Sequence, residues 1–507
     1  MEATTAARER LAGHAFAIRR LLAERSTVFW IVVGLTGLGA VLRFSTLGLQ
    51  SFHHDEVVTA GRVVRASLWH LLDKVVSGES VPPLYYLLAW PWVKVAGTGA
   101  IGLRSLSAVA GVATIPLAYL AVAELRDSRA GIAAAALVAT NPMLIWYSQE
   151  ARGYALLVLL CTASLLFFAR GLRRGGRRDL AYWAAASTLA ICTHYFAAFP
   201  VAAEALILAR ARRGEARPAL AGLGAACLAL APLAVIQTSH GDNTDWIAKL
   251  SLSYRLGEGA VAFVVGETGY LIAEPVRPLL GLVPLLLAGA ALSLLALRGG
   301  RSERGSAGIL LAIAATTLLA PFALALLGKD FFLDRNLIPA LVPLLGALGI
   351  ALTARRVGRA GAVLCSALVV YWLGFWVATG LTSSLQRPPY RSVAIELGEP
   401  DAPRATVTWL LGIAPLRHYL GTHAIQAYPK VETWFVHEID VVSSGPPAAD
   451  WKPAPGFRSA GSTTVGRLQI NRYVTDGLRY LPVRALQNAE IGFRSNRVLL
   501  DGIGPEL

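Results

Sequence analysis

One run of this sequence is dense enough in reactive groups to suggest chemistry: FHHDEVVTAGRVV, in which His53, His54, Asp55 and Glu56 follow one another. Two carboxylates beside two imidazoles can take protons, hold a cation or orient a hydroxyl. The bland alternative is that Asp55 or Glu56 caps the helix that follows, because acids are favoured at a helix N-terminus. Ionisable groups gather again in WYSQEARGY (Gln149, Glu150, Arg152, with Tyr154 its last residue), in THYF (His194, Tyr195), in a long polar loop (His240, Asp242, Asp245) and in GKDFFLDRN (Lys329, Asp330, Asp334, Arg335). Each has an ordinary explanation. Arg152 and Arg335 can anchor at headgroup phosphates, His194 can be a packed core histidine, and Asp334 can pair with Arg335 or Lys329. The runs become a site only if the elements that carry them bring them to one face.

Composition makes those elements membrane helices. Of the 507 residues 55% are hydrophobic and 16% charged, with a mean hydropathy of +0.53. Apolar stretches recur at 28–47, 103–124, 130–146, 153–170, 180–194, 196–210, 218–237, 279–297, 307–327, 333–352 and 359–381. Many approach the roughly 20 residues a helix needs to cross the hydrocarbon. The expected fold is an all-α polytopic membrane protein of about 11–13 transmembrane helices. The first stretch follows a basic segment (Arg8, Arg10, Arg19, Arg20, Arg25) without a small-residue cleavage site, and reads as an uncleaved span.

Orientation follows from arginine. Besides the N-terminus, Arg126 with Arg129, Arg173 to Arg178, Arg210 to Arg217, Arg298 to Arg304 and Arg355 to Arg359 occupy every second loop. Placed in the cytoplasm, they account for the net charge of +15 without a nucleic-acid partner. The His- and acid-bearing runs then all face outward from the inner (plasma) membrane. This alternation requires that PPLYYLLAWPWVKVAG (82–97) not cross, so it is expected to be a shallow interfacial helix with Tyr85, Tyr86, Trp90 and Trp92 at headgroup level. Cys161, Cys192, Cys227 and Cys365 fall in predicted spans and read as packing residues. Past Pro388 and Pro389 the hydropathy falls, and ATVTWLLG (405–412) and GRLQINRYV (466–474) read as strands. The expected domains are a transmembrane unit, 1–385, and a small extracytoplasmic α/β domain, 386–507.

The order of a DE pair after the first span, a PPLYY segment, a turn with Glu150, Arg152 and Tyr154, and a later DRNLIPALVPLL span resembles the family 39 branch of GT-C glycosyltransferases. That branch includes the protein O-mannosyltransferases and the transferases that add aminoarabinose to lipid A. The resemblance spans about residues 28–385. It implies that Asp55 is the catalytic carboxylate, that Glu56 helps to organise donor or acceptor, and that Arg152, Lys329 and Arg335 hold the lipid phosphate. His54 is grouped with the phosphate-binding residues, and His53, Tyr85, Tyr86, Glu150, Tyr154, His194 and Tyr195 with those lining the substrates. The double histidine departs from the pattern; either imidazole can bind a metal, donate to the phosphate, or do neither.

The chemistry is coherent with that resemblance. Nucleotide sugars do not cross the membrane, so an outward-facing transferase needs its sugar on a polyprenyl phosphate. One carboxylate then serves as base if configuration inverts, which the resemblance implies, and arginine meets the departing phosphate. Metal dependence stays open at this point: arginine and lysine can meet a lipid monophosphate without a metal, and Asp55, Glu56, His53 and His54 are ligands that Mn, Mg or Zn would accept. The expected partners are the polyprenyl-phosphate sugar, a lipid, glycan or protein acceptor, and membrane lipids. The competing classes are a transporter or flippase of a lipid-linked glycan precursor, which would carry midplane charges and repeat symmetry, and an assembly scaffold that could lose Asp55 without consequence.

Overall fold

The computed structural model describes residues 26–64, 67–239, 244–267, 276–421, 424–427, 433–445, 453–487 and 496–502, apart from the Arg277 side chain. The basic N-terminal segment, His240 and Asp242 lie outside the described residues.

The helices follow the apolar runs. After α1 (Ser26–Phe44) come α2 (His54–Val63), α3 (Leu68–Gly78), α4 (Leu84–Ala96), α5 (Ala100–Leu125), α6 (Ser128–Thr140), α7 (Pro142–Ser148), α8 (Tyr154–Arg174), α9 (Arg177–Thr193), α10 (Ala198–Ala211) and α11 (Arg213–Ser239). Then follow α12 (Asp245–Ala248), α13 (Leu252–Val265), α14 (Val276–Arg298), α15 (Arg301–Leu326), a 3-10 turn at Asp334–Ala340 leading into α16 (Leu341–Thr353), and α17 (Arg359–Leu381). Among the described residues eight helices are long and apolar enough to cross a membrane, or nine with the bent pair α6–α7. The other two expected crossings coincide with α9 and α10, of 17 and 14 residues, too short to qualify by length. Segment α4 has 13 residues, roughly 20 Å of helix against about 30 Å of hydrocarbon, so it is too short to span. Tyr85 and Tyr86 nevertheless depart from the expectation: they are buried in a protein core with Phe52, Leu71 and Leu103, not placed at an interface.

Two sequence features set the geometry near the DE run. At Asn141–Pro142 the proline removes a helical donor while the Asn141 side chain accepts from the Leu144 N–H at 3.1 Å, so α6 stops and α7 restarts at 58°. The carbonyls this break releases, of Val138 and Ala139, receive the fully buried Arg43 guanidinium at 3.1 and 2.9 Å, a cation at a helix C-terminus. The bend delivers Gln149 to Arg152 beside the start of α2. Glu204, an acid within α10, is buried and accepts the Trp183 Nε1–H at 2.8 Å and the Ser164 hydroxyl, closing α10 onto α8 and α9.

The arginine-rich loops meet at one end of the bundle. Arg126 pairs with Glu303, which also accepts the Arg355 N–H, and Arg174 pairs with Glu124. The His- and acid-bearing runs meet at the other end.

Beyond α17 lie α18 (Tyr390–Leu397), β1 (Arg404–Trp409), α19 (Leu410–Leu420), β2 (Ile425–Gln426), β3 (Thr433–Ser443), β4 (Arg458–Val465), β5 (Leu468–Pro482), α20 (Val483–Gln487) and β6 (Asn496–Asp501). They form a mixed sheet in the order β2-β6-β1-β3-β5-β4, with β1 and β3 parallel. The expected first strand stops at Trp409, because Leu410 and Leu411 already belong to α19, which packs through Ile413, Leu416 and Leu420 against α18 and the sheet. All four cysteines are free, on α8, α9, α11 and α17.

Candidate active site

Glu56 is the fixed point of the site. It is fully buried and accepts five donors: Arg104 Nε at 2.7 Å and Nη2 at 2.8 Å, Arg387 Nη1 at 2.7 Å, and the N–H groups of Ala151 and His53 at 3.0 Å each. The bond from His53 is the helix-capping contact that the bland reading foresaw. Burial alone would raise its pKa, but Arg104 and then Arg387 outweigh that and hold the carboxyl down to about 2. Its oxygens are saturated, so Glu56 positions other groups and cannot reach a substrate.

Asp55, the preceding residue, points the other way. Its side chain is 25% exposed and pairs through Oδ2 with Arg335 Nη1 at 3.2 Å, across 280 residues of sequence. Burial works against its ionisation, yet Arg335, Arg152, His53 and His54 hold the carboxyl below its ordinary range. Arg335 also lies under the half-exposed Trp246 ring, 5.6 Å from its centroid. Burial lowers His53 to about 4 and lowers His54, so both imidazoles are neutral near pH 7.

Arg152 anchors the opposite wall. It donates to the Tyr86 hydroxyl at 2.6 Å and to Glu79 at 3.1 Å, and Arg62 also pairs with Glu79. The Tyr85 hydroxyl lies 3.4 Å from that of Ser107, which donates to the Arg152 carbonyl. The Tyr154 ring meets that of Tyr147 edge-on and that of His194 at a tilt. Glu150 pairs with Arg387 at 2.9 Å; burial raises its carboxyl, Arg387 opposes, and Glu56 and Asp55 add to the rise.

The structure thus brings together His53, His54, Asp55, Glu56, Tyr85, Tyr86, Glu150, Arg152, Tyr154, His194 and Arg335. Two expected residues do not join them. The Tyr195 hydroxyl donates to Gln237 at 2.7 Å, and Gln237 ties it to the carbonyls of Val75 and Val81, so Tyr195 closes α11 onto the α3–α4 link. Lys329 is exposed, and it is Arg255 on α13 that holds the neighbouring Asp330. His53, His54, Asp55 and Glu56 are not placed as a metal-binding set either. With successive residues of a helix start diverging and Glu56 saturated by arginines, His53, His54, Asp55 and Glu56 do not converge, and no group of three or more His, Cys, Asp or Glu among the described residues could hold a metal.

Arg104, Arg387, Glu79 and Arg62 were not foreseen. Arg104 carried a signal, an arginine at the edge of a predicted span, which in a membrane protein marks a pairing partner or a site. Arg387 stands beside Pro388 and Pro389, where the sequence shows only a fall in hydropathy.

Residues 80–236 match the family model described as dolichyl-phosphate-mannose-protein mannosyltransferase. Two crystal structures of ArnT from Cupriavidus metallidurans share the architecture. The one bound to undecaprenyl phosphate has a TM-score of 0.54 at 14% identity, covering 87% of this chain and 97% of that one. The apo state gives 0.53 at 15%, covering 88% and 98%. No curated protein sequence matches. The chain is a polytopic membrane protein with the GT-C fold of membrane glycosyltransferases. Within that class, its segment from α4 to α11 carries the sequence pattern of the dolichyl-phosphate-mannose-protein mannosyltransferases.

Proposed function

We propose that this protein is an integral-membrane glycosyltransferase that moves a sugar from a polyprenyl-phosphate donor to an acceptor hydroxyl on the extracytoplasmic face, with Asp55 as general base and inversion at the anomeric carbon. The observation that carries the reading is the Asp55–Arg335 pair, a partly exposed carboxylate beside a guanidinium, at the end of the bundle opposite the arginine-rich loops. A base and two cations border one space, and inversion places the acceptor hydroxyl, with Asp55, on the face of the anomeric carbon opposite the phosphate that the cations receive. That Cupriavidus ArnT was crystallised with undecaprenyl phosphate supports a lipid-phosphate donor. Arg152 supplies the second cation, His54 faces the same space, and no step requires a metal.

The acceptor hydroxyl attacks the anomeric carbon, its proton passes to Asp55, and the bond to the phosphate oxygen breaks with its electrons on the lipid phosphate. The test is sugar transfer by membranes carrying the wild-type chain, using labelled polyprenyl-phosphate sugars of several kinds and, as controls, the corresponding nucleotide sugars. Transfer from a lipid phosphate alone is expected. No transfer from any lipid-linked donor would sink the reading and make transport of a lipid-linked precursor the next hypothesis.

Arg335→Gln should raise the donor KM about 10- to 100-fold, the scale of one charge-assisted contact to phosphate. Because Arg335 holds the Asp55 carboxyl down, the same substitution should move the acid limb of kcat/KM to higher pH. An unmoved limb would disconnect the two residues.

Acid should destabilise the fold in two windows. His53 ionises near 6.5 unfolded but near 4 folded, so the unfolded chain binds more protons and stability falls as pH drops from 6.5 to 4. Glu56, depressed from 4.5 to about 2, contributes stability above 4.5 that is lost as pH falls through that lower range. Thermal unfolding in detergent between pH 7.5 and 4 should show a declining midpoint, with the upper part of the decline reduced in His53→Gln.

A further inference from the structure

The segment from Gln50 to Glu56 has little regular structure until α2 begins, so its backbone groups need partners from elsewhere. Arg104 takes the carbonyls of Gln50 and Ser51 from the membrane side, at 2.9 and 3.0 Å. The partners on the opposite side come from beyond α17. The Arg387 N–H donates to the Gln50 side chain at 2.9 Å and the Arg391 N–H to the Ser51 hydroxyl at 3.1 Å. The Phe52 N–H donates to the Tyr419 hydroxyl at 2.8 Å, with the His418 ring edge-on to Phe52 at 5.2 Å. The Arg387 guanidinium enters the core, lies over the Trp146 ring at 4.5 Å and bridges Glu56 to Glu150.

Four of seven consecutive residues, Gln50, Ser51, Phe52 and Glu56, are therefore gripped by the region after the last membrane helix, and Asp55 sits inside that grip. We infer that the C-terminal region is a working part of the catalytic centre: Arg387, with Tyr419, positions Asp55 against Arg335, and the domain is not an appendage that only selects the acceptor. The inference rests on the glycosyltransferase reading. Arg387 touches neither Asp55 nor the space beside Arg335 and Arg152, so it acts as a positioning residue through Glu56 and the backbone that leads to Asp55. The bridge also explains why two buried carboxylates tolerate each other: one guanidinium serves both, its Nη1 and Nη2 held apart in a fixed fork that a lysine ammonium does not reproduce.

The experiment compares full-length wild type, Arg387→Lys, Arg387→Met and Tyr419→Phe in detergent or nanodiscs. It measures kcat and KM for transfer from the lipid-phosphate sugar that wild type uses, and hydrogen exchange over residues 48–58. Arg387→Met should lower kcat about 100-fold, the effect of a displacement near 1 Å at a reacting group, while the donor KM moves by less than about threefold. Arg387→Lys should recover part of kcat. Tyr419→Phe, which removes only the acceptor for Phe52, should lower kcat by about 3- to 10-fold, and exchange over 48–58 should rise in the order of the kcat losses. In the Arg387→Met background, Glu150→Gln should restore part of kcat by removing the charge left unpaired. Wild-type kcat in Arg387→Met, or a loss confined to KM, overturns the inference while wild-type transfer leaves the enzyme reading standing. If Arg387→Met does not fold, unchanged kcat and exchange in Tyr419→Phe overturn it instead. Absence of transfer by wild type removes the enzyme reading and this inference with it.

Discussion

Asp55→Asn should lower kcat by about 100- to 10,000-fold, the range expected when a positioned general base is lost, while the protein stays folded. Asparagine keeps the shape and partly exposed setting of Asp55 and still offers Arg335 an oxygen, so the α2 start and its Glu56 cap remain. What disappears is the proton acceptor. Binding of the leaving lipid phosphate should not weaken. A carboxylate beside Arg335 and Arg152 repels an anion there, so its removal should tighten the phosphate product, measurable by competition with the donor. The combination of lost turnover with retained or tighter phosphate binding is hard to obtain from a structural defect. Wild-type turnover in Asp55→Asn would place the base elsewhere.

A carboxyl held below its usual range is a weak base, in apparent conflict with the role proposed for Asp55. The Asp55–Arg335 contact resolves it. An arriving phosphate competes for the same guanidinium and neutralises part of its charge, which relaxes the hold on Asp55 at the moment the sugar is in place. The acid limb of kcat, measured with donor bound, should therefore lie at higher pH than that of kcat/KM, which reports the free enzyme.

The membrane helices were legible because lipid imposes a simple rule: spans must be long, apolar and internally bonded, and the arginine runs mark one end. The gathering of Asp55, Arg152 and Arg335 was legible for the same reason, since alternation of spans assigns every second loop to one face. Which of two adjacent acids is buried was not. Asp55 and Glu56 differ only by one helical step, and that step turns Glu56 toward Arg104 and Arg387, residues 48 and 331 positions away. Lys329 and Tyr195 failed for the converse reason: each lies in a run that reaches the right end of the bundle, but Lys329 is exposed and Tyr195 is turned to Gln237. Side-chain direction at a helix end depends on packing partners that have no local signature.

Glu56→Ala should be the most destabilising single substitution at the site, costing about 3–5 kcal/mol. It leaves the buried guanidinium of Arg104 without a counter-ion and takes one of the two carboxylates from Arg387, along with the acceptor for Ala151 and His53. Glu56→Gln should fare little better, because its amide nitrogen would have to face donors on one side. Arg104→Met alone should also destabilise, by stranding the same carboxylate and the carbonyls of Leu47, Gln50 and Ser51. The two losses should not add. Glu56→Leu combined with Arg104→Met removes both charges at once, leaves Arg387 its pair with Glu150, and should cost less than the sum of the single substitutions by about 1–3 kcal/mol. Thermal or denaturant unfolding of wild type, Glu56→Leu, Arg104→Met and the double variant measures that coupling. Sugar transfer should stay lost in the double variant even where stability returns, because an apolar pair can fill the space but cannot fix the start of α2, and with it the direction of Asp55. Full additivity would mean that Glu56 and Arg104 stabilise the fold independently. Restored transfer would mean that Asp55 is aimed by the helix alone.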